Sequence, residues 1–236
     1  MIGCEYSGTT TLAIAITRWI DEVVGAIIFG GLSFHDHWKI TEGGHVGTSG
    51  LPDLAATAEQ EALGFSPRHR QSYHQYLLSY HQMPTFFKDP HHLMIGMHID
   101  DEIYGPHHKG YGEEAASTLR GQSRHTEKTI LELGPDTVLI LVKASPQVIR
   151  TRMKESPHHH PLIQGGDVEH VLGRFEEEFA RSTIGAPARK IVLDTSNSSV
   201  DETLAEFVRK IEPLLSDTDR LRVLTRSLSV TGLSPA

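Results

Sequence analysis

The stretch Met1-Ile2-Gly3-Cys4-Glu5-Tyr6-Ser7-Gly8-Thr9-Thr10-Thr11-Leu12 decides the fold. Residues 1–6 form a short apolar run, and the Gly/Thr segment after it separates that run from a helical pattern. The pattern places Leu12, Ile16, Trp19 and Val23 on one face. The sequence therefore predicts a strand, a glycine loop and a helix, in that order.

The glycine loop has the spacing of the phosphate-binding pattern G-x-x-x-x-G-K-[ST]. In such a loop, backbone N–H groups and the positive end of the next helix hold phosphate oxygens. Thr10 stands where a hydroxyl can hold Mg²⁺, whereas Thr9 stands where the pattern has lysine. An ordinary turn between a strand and a helix is the alternative. The residues predicted to bind the cofactor are Gly3, Ser7, Gly8, Thr9, Thr10 and Thr11.

Strands and helices alternate along the rest of the chain, which predicts an α/β fold with a parallel sheet covered on both faces. Further strands are expected at residues 26–34, 93–99, 137–142 and 190–194, and helices at residues 53–83, 113–133, 146–155, 167–179 and from Ser199. We expect one domain over residues 1–215. It has a lid segment at residues 154–167, and a flexible tail follows it at residues 216–236.

Composition excludes several classes of protein. The chain has 236 residues, one cysteine, and 22 basic against 30 acidic residues for a net charge of −8. One cysteine cannot form an internal disulfide, and the acidic balance does not favour nucleic-acid binding. The apolar stretches are short for a membrane span, so we expect a cytoplasmic protein without a membrane partner and leave a homodimer open. The chain has 16 histidines, and their runs lie in loops; we expect them to make weak contacts with phosphate in preference to forming a transition-metal site.

The order of elements resembles P-loop nucleoside and nucleotide kinases of the deoxynucleoside and thymidylate kinase type. The similarity covers residues 1–215 and includes Lys143-Ala144-Ser145-Pro146 after a buried strand and Leu193-Asp194-Thr195-Ser196 before the last helix. It implies a three-layer α/β/α P-loop NTPase fold with about five parallel strands and a lid. It also implies transfer of the γ-phosphoryl group of ATP, with Mg²⁺, to a small acceptor such as a nucleoside or a nucleotide.

The resemblance also implies roles for single residues. Asp36 matches the carboxylate that accepts the proton of the acceptor, and Arg150 and Arg152 match the arginines of the lid. These charge types suit a phosphoryl-transfer transition state, although a loop cap for Asp36 and a surface position for the arginines are alternatives. The residues matched to the metal are Thr10, Asp100 and Asp101, and those matched to the acceptor are Trp38, Arg68, Arg70 and Tyr73.

Two other functions fit the same loop. The run Ser7-Gly8-Thr9-Thr10-Thr11-Leu12 also resembles the 5′-phosphosulfate loop of sulfotransferases, in which threonine occupies the lysine position. Such an enzyme would use a phosphoadenosine phosphosulfate donor without Mg²⁺. A module that binds a nucleotide without catalysis is the third candidate, and the missing lysine supports it.

Overall fold

The computed structural model describes residues 1–25, 33–36, 64–88, 91–106, 108–158, 161–185 and 187–230. Three expectations fall wholly or partly outside this part of the chain: residues 53–63 of the helix expected over residues 53–83, most of the strand expected at residues 26–34, and Trp38. None of the helices in the described ranges has both the length and the apolar character that crossing a membrane requires.

Helices make up most of the described residues. The α-helices are α1 (Thr9–Trp19), α2 (Pro67–Tyr80), α3 (Met97–Tyr104), α4 (Ala115–Leu133), α5 (Pro146–Glu155), α6 (Val168–Arg181), α7 (Val200–Ile211) and α8 (Asp217–Val230). A π-helical turn (Ile20–Val24) extends α1, and short 3₁₀ turns lie at Phe86–Lys88 and Glu212–Leu214. The strands are β1 (Ser33–Asp36), β2 (His92–Ile95), β3 (Leu139–Lys143) and β4 (Lys190–Asp194).

The four strands form two parallel pairs, β1 with β2 and β3 with β4. The first two residues of the chain lie between the pairs and bond to both of them. Gly96 N donates to Met1 O at 2.8 Å, whereas Ile2 N donates to Ile140 O at 2.8 Å and Ile2 O accepts from Val142 N at 2.9 Å. The parallel α/β character predicted from the sequence is therefore confirmed.

Both faces of β3 are buried, because successive side chains of a strand point to opposite faces. Leu139 and Leu141 belong to one apolar cluster with residues of α3, α5 and α6, including Ile149 and Phe175. Ile140 and Val142 belong to a second cluster; its other members include Leu12, Ala13 and Ile16 of α1 and Phe207 of α7. A strand covered on both faces explains the unbroken apolar run in the sequence.

Capping signals in the sequence located several helix ends correctly. Ser145 accepts from Val148 N at 3.4 Å ahead of α5, with Pro146 in the first turn. Ser199 and Glu202 form the predicted capping box of α7. Gly25, with a left-handed φ of 67°, ends the helix that starts after the glycine loop.

Two expectations differ from the structure. The strand expected at residues 93–99 ends at Ile95, and α3 begins at Met97, so Asp100 and Asp101 lie on a helix and not at a strand end. The segment from residue 216, expected as a flexible tail, contains α8. The carboxylate of Asp219 in α8 contacts the His91 imidazole at 2.9 Å, and Arg226 donates to Glu22 O at 2.7 Å. These long-range contacts attach α8 to the rest of the chain.

Candidate functional site

Residues 3–10 form a tight loop between the bridge at Ile2 and α1. Ser7 N donates to Cys4 O at 2.9 Å, and the first bond of the helix runs from Leu12 N to Gly8 O at 3.0 Å. Gly8 precedes the helix in the left-handed region, with a φ of 93°, and provides no side chain to cap it. Since the first amides of a helix lack intrahelical acceptors, this end of α1 can bind an anion.

Gly3 lies where no larger residue fits. A Cβ atom on Gly3 would stand 2.5 Å from Val142 O and 2.7 Å from Ser7 Oγ. Ser7 itself is fully buried, and its hydroxyl has no hydrogen-bond partner among the described residues. A buried hydroxyl without a partner is unfavourable unless a ligand or a water molecule satisfies it. The loop therefore combines close backbone packing with a polar group that lacks a partner.

Arg152 connects this loop to the end of β4. Its guanidinium donates to Tyr6 O at 3.0 Å, to Thr195 Oγ1 at 3.0 Å and to Thr195 O at 2.8 Å. The hydroxyl of Thr195 in turn donates to Ser7 O at 2.7 Å. Arg152 thus places a positive charge beside the loop, in which Thr9 stands at the position of the usual lysine. The catalytic role expected for Arg152 stays a prediction.

A second loop residue contacts the lid segment, residues 154–167. The carboxylate of Glu5 accepts from Leu162 N at 2.8 Å and from Ile163 N at 3.2 Å, and it also contacts the imidazole of His158. Tyr6 stacks on the His158 ring with the centroids 4.0 Å apart. The loop is therefore in direct contact with the lid.

Loop, lid and strand ends enclose an open cavity of about 850 Å³. The carboxyl ends of β2 and β4 contribute Ile95 and Thr195. In open α/β sheets, ligands bind at this edge. The predicted residues that line the cavity are Gly3, Gly8, Thr9, Thr10, Thr11, Asp100 and Arg152.

Other predicted residues lie elsewhere. Arg150 donates to Gly165 O at 3.1 Å and pairs with Glu169, and it is not among the described residues that line the cavity, so its catalytic role stays a prediction. Asp101 is buried and forms an ion pair with Lys109, and its role as a metal ligand likewise stays a prediction. An i, i+2 spacing turns two helical side chains to different faces, which explains why only Arg152 faces the loop.

The acceptor residues predicted on α2 do not line this cavity either. Arg68 is exposed, and Arg70 and Tyr73 are half-buried. Asp36 ends β1 and pairs in register with Ile95, so its backbone lies one strand away from a residue that lines the cavity. Its side chain and Trp38 fall outside the described part of the site.

Two groups below the loop remain protonated at neutral pH. Burial, reinforced by the charge of Glu5, raises the pKa of the Cys4 thiol to about 12. Burial likewise raises the pKa of Tyr104 well above its usual value, and the Tyr104 hydroxyl accepts from Glu5 N at 2.9 Å. Because the thiolate is the nucleophilic form, Cys4 is not a candidate nucleophile.

Glu5, His158 and Thr195 are contact residues that the sequence prediction missed. Glu5 and His158 contact each other across more than 150 positions of the sequence. More than 150 positions also separate Thr195 from its partner Ser7, and the segment that contains Thr195 was noted only for its family resemblance. The local signal that could have identified Glu5 was its position, as a carboxylate between the two glycines of the loop. No family model matches this chain, and no curated protein is significantly similar to it in sequence.

Proposed function

We propose that the protein is a P-loop phosphotransferase that transfers the γ-phosphoryl group of ATP to a small acceptor such as a nucleoside or a nucleotide. The observation that carries this proposal is the close-packed loop of residues 3–10, which faces an open cavity at the carboxyl ends of parallel strands. A loop of this kind holds phosphates by its backbone N–H groups and by the helix end.

The order of the strands supports the P-loop assignment. If the hydrogen bonds of Met1 and Ile2 count as a central strand, the sheet reads β1, β2, residues 1–2, β3, β4, with five parallel strands. Helices would then cover both faces in three layers. The chain leaves the central strand through the glycine loop, at a point where successive strands lie to different sides. Such a switch point is where α/β proteins bind ligands.

The residues present fit the phosphates of a nucleotide and Mg²⁺. The hydroxyl of Ser7 lacks a partner, and a Cβ at Gly3 would fill the space against Val142 O. Within the described ranges, no three acidic, histidine or cysteine side chains could hold a metal ion by themselves. Magnesium usually takes only one or two carboxylates in addition to substrate phosphates and water, so Thr10 and Asp100 suffice. When bound, Mg²⁺ neutralises charge on the phosphates.

Charge in the cavity favours such a cation. Among the described residues, Glu5, Asp100 and Glu155 line it, whereas Arg152 is the one lysine or arginine that does so. A polyphosphate would meet net negative charge there unless a metal ion accompanied it. Arg152 would supply the positive charge that Thr9 cannot, beside the transferring group.

Asp36 is the proposed general base, and helix α2 is proposed to contact the acceptor. The backbone of Asp36 ends β1 in register with Ile95, and a carboxylate at that end of the strand could take the proton of an attacking hydroxyl. Arg68, Arg70 and Tyr73 on α2 remain the proposed contacts of the acceptor, because their residue types suit an anionic or aromatic group. Asp36→Asn would separate the two roles, since it removes the base without touching the phosphate loop.

Sulfotransferase chemistry is the second candidate. The observation that favours it is Thr9, which lines the cavity where the kinase pattern has lysine. A phosphosulfate donor carries less charge at its transferred group than ATP, so the site would need neither that lysine nor Mg²⁺.

Thermal unfolding with each donor class separates the two functions. We expect Mg²⁺ and ATP at 100 times Kd to raise the Tm by about 5–10 °C, since that excess stabilises the fold by about 2.7 kcal/mol. Adenosine 3′,5′-bisphosphate should give a much smaller shift. A shift only with the bisphosphate would refute the kinase proposal and favour the sulfotransferase, and no shift with either would refute both.

A further inference from the structure

Glu5 makes contacts that phosphate binding does not explain. Its side chain is 10% exposed and directed towards the lid segment, where it meets His158, Leu162 and Ile163. Carboxylate oxygens accept strong hydrogen bonds from backbone N–H groups. Glu5 therefore satisfies two backbone donors on an element more than 150 residues away in sequence.

The neighbouring residue strengthens the same contact. Tyr6 has a left-handed φ of 65°, a conformation that costs a non-glycine residue about 1 kcal/mol or more. In this conformation its hydroxyl accepts from His158 N at 2.9 Å and its ring stacks on the imidazole. The carbonyl of Tyr6 accepts from Arg152. The strained backbone is thus held from both sides by the end of α5 and by the lid.

The lid is anchored on its other side by the core. Ile163 is fully buried and belongs to the same apolar cluster as Val168 and Phe175 of α6. Movement of the lid away from the loop therefore has to break the Glu5 bonds and the Tyr6 stack and to shift a core residue. This combination holds the lid in place without any ligand.

We infer that Glu5 is a positioning residue that latches the lid to the phosphate loop and so fixes the wall that the lid contributes to the open cavity. Glu5, Tyr6 and His158 form this latch. When a binding-competent arrangement is only partly populated, the apparent affinity falls by its fraction. Breaking the latch should therefore loosen the lid and weaken ligand binding in the cavity.

Amide hydrogen exchange of the chain without nucleotide tests the latch. In Glu5→Gln, the amides of Leu162 and Ile163 should exchange about tenfold faster or more, because hydrogen bonds to a charged acceptor are lost. The control is Glu155→Gln, which removes the same charge from a side chain that lines the same cavity and is exposed. That control should leave both amides within about twofold of the wild type.

The exchange pattern distinguishes latch opening from general destabilisation. A latch effect raises exchange at residues 162 and 163 and leaves amides of β3 and α7 unchanged, whereas global unfolding raises exchange in all of these elements. Equal exchange of Leu162 and Ile163 in Glu5→Gln and the wild type would overturn the inference. If Glu5→Gln does not fold, the exchange experiment is done on His158→Phe. This variant keeps the aromatic stack on Tyr6 and removes the ring nitrogen that contacts Glu5. Unchanged lid exchange in that variant overturns the inference too.

A second measurement rests on the proposed function. The Kd of Mg²⁺ and a fluorescent N-methylanthraniloyl ATP should rise about tenfold in Glu5→Gln and by a clearly smaller factor in Glu155→Gln, which removes a cavity charge without breaking the latch. An equal rise in both variants would assign the effect to charge alone and would contradict the latch. The exchange experiment uses no nucleotide, so failure of the latch and failure of the proposed function remain separable.

Discussion

Replacement of Gly3 with alanine is expected to destabilise the protein by about 3 kcal/mol, the upper end of the usual cost of overpacking. The added Cβ would lie 2.5 Å from Val142 O, 2.7 Å from Ser7 Oγ and 2.9 Å from Thr9 Cγ2. The first of these atoms belongs to the backbone of β3, which is buried on both faces and cannot move without disturbing two apolar clusters. Urea unfolding followed by circular dichroism measures the change in the free energy of unfolding.

Gly121→Ala is the matched control for this substitution. Gly121 lies inside α4, and nothing lies within 4 Å of the position of an added Cβ. Alanine is the better helix former, so this variant should be more stable by about 0.5–1 kcal/mol. A Gly3→Ala variant as stable as the wild type would show that the loop does not pack against β3 as described.

Replacement of Arg152 with glutamine is expected to weaken the binding of Mg²⁺ and ATP by about 100-fold. Loss of a charged partner at a desolvated contact costs about 2–5 kcal/mol, and a 100-fold change in Kd corresponds to about 2.8 kcal/mol, which lies within that range. Two effects act together, because Arg152 is the cation beside the proposed phosphates and also fixes the loop through Tyr6 O and Thr195. Isothermal titration calorimetry at one salt concentration gives the ratio of affinities.

Arg150→Gln controls for the loss of an arginine from the same helix. Its guanidinium pairs with the exposed carboxylate of Glu169, and exposed pairs contribute little. We expect Kd to stay within about twofold of the wild type. Equal losses in the two variants would mean that general electrostatics, and not the contacts of Arg152, determine affinity.

Local signals predicted much of the fold. The Ser145-Pro146 cap, the capping box of Ser199 and Glu202, and the strand Lys190–Asp194 were readable because each depends on neighbouring residues. The strand expected at residues 93–99 was too long for a physical reason. A short apolar run cannot distinguish a buried strand from a buried helix, and Gly96, with a φ of 75°, ends the strand halfway through that run.

For the site, as for the fold, the sequence predicted what depends on neighbouring residues and missed what depends on tertiary packing. Glycine spacing predicted the loop at Gly3 and Gly8, although only Gly8, with a φ of 93°, is required by local backbone geometry, and Gly3 is required by its close approach to Val142 O. Which of Arg150 and Arg152 faces the loop depends on how α5 packs against its neighbours, and sequence spacing does not give that orientation. The contact of Glu5 with residues 162 and 163 depends on tertiary structure alone. The carboxylate between the two glycines was a local signal for Glu5, but it did not identify the residues that Glu5 contacts.

The most direct test of the central claim is the response of backbone amide resonances to Mg²⁺ and ATP, measured by ¹H–¹⁵N correlation spectroscopy. A phosphate cradle at residues 3–10 predicts the largest shift changes at the amides of Gly8, Thr9 and Thr10, with smaller ones at Arg152 and Thr195. The amides of Lys128 and Thr183, which line a second cavity between α4 and the end of α6, should not change. Unchanged loop resonances at saturating nucleotide, or changes confined to that second cavity, would contradict the account.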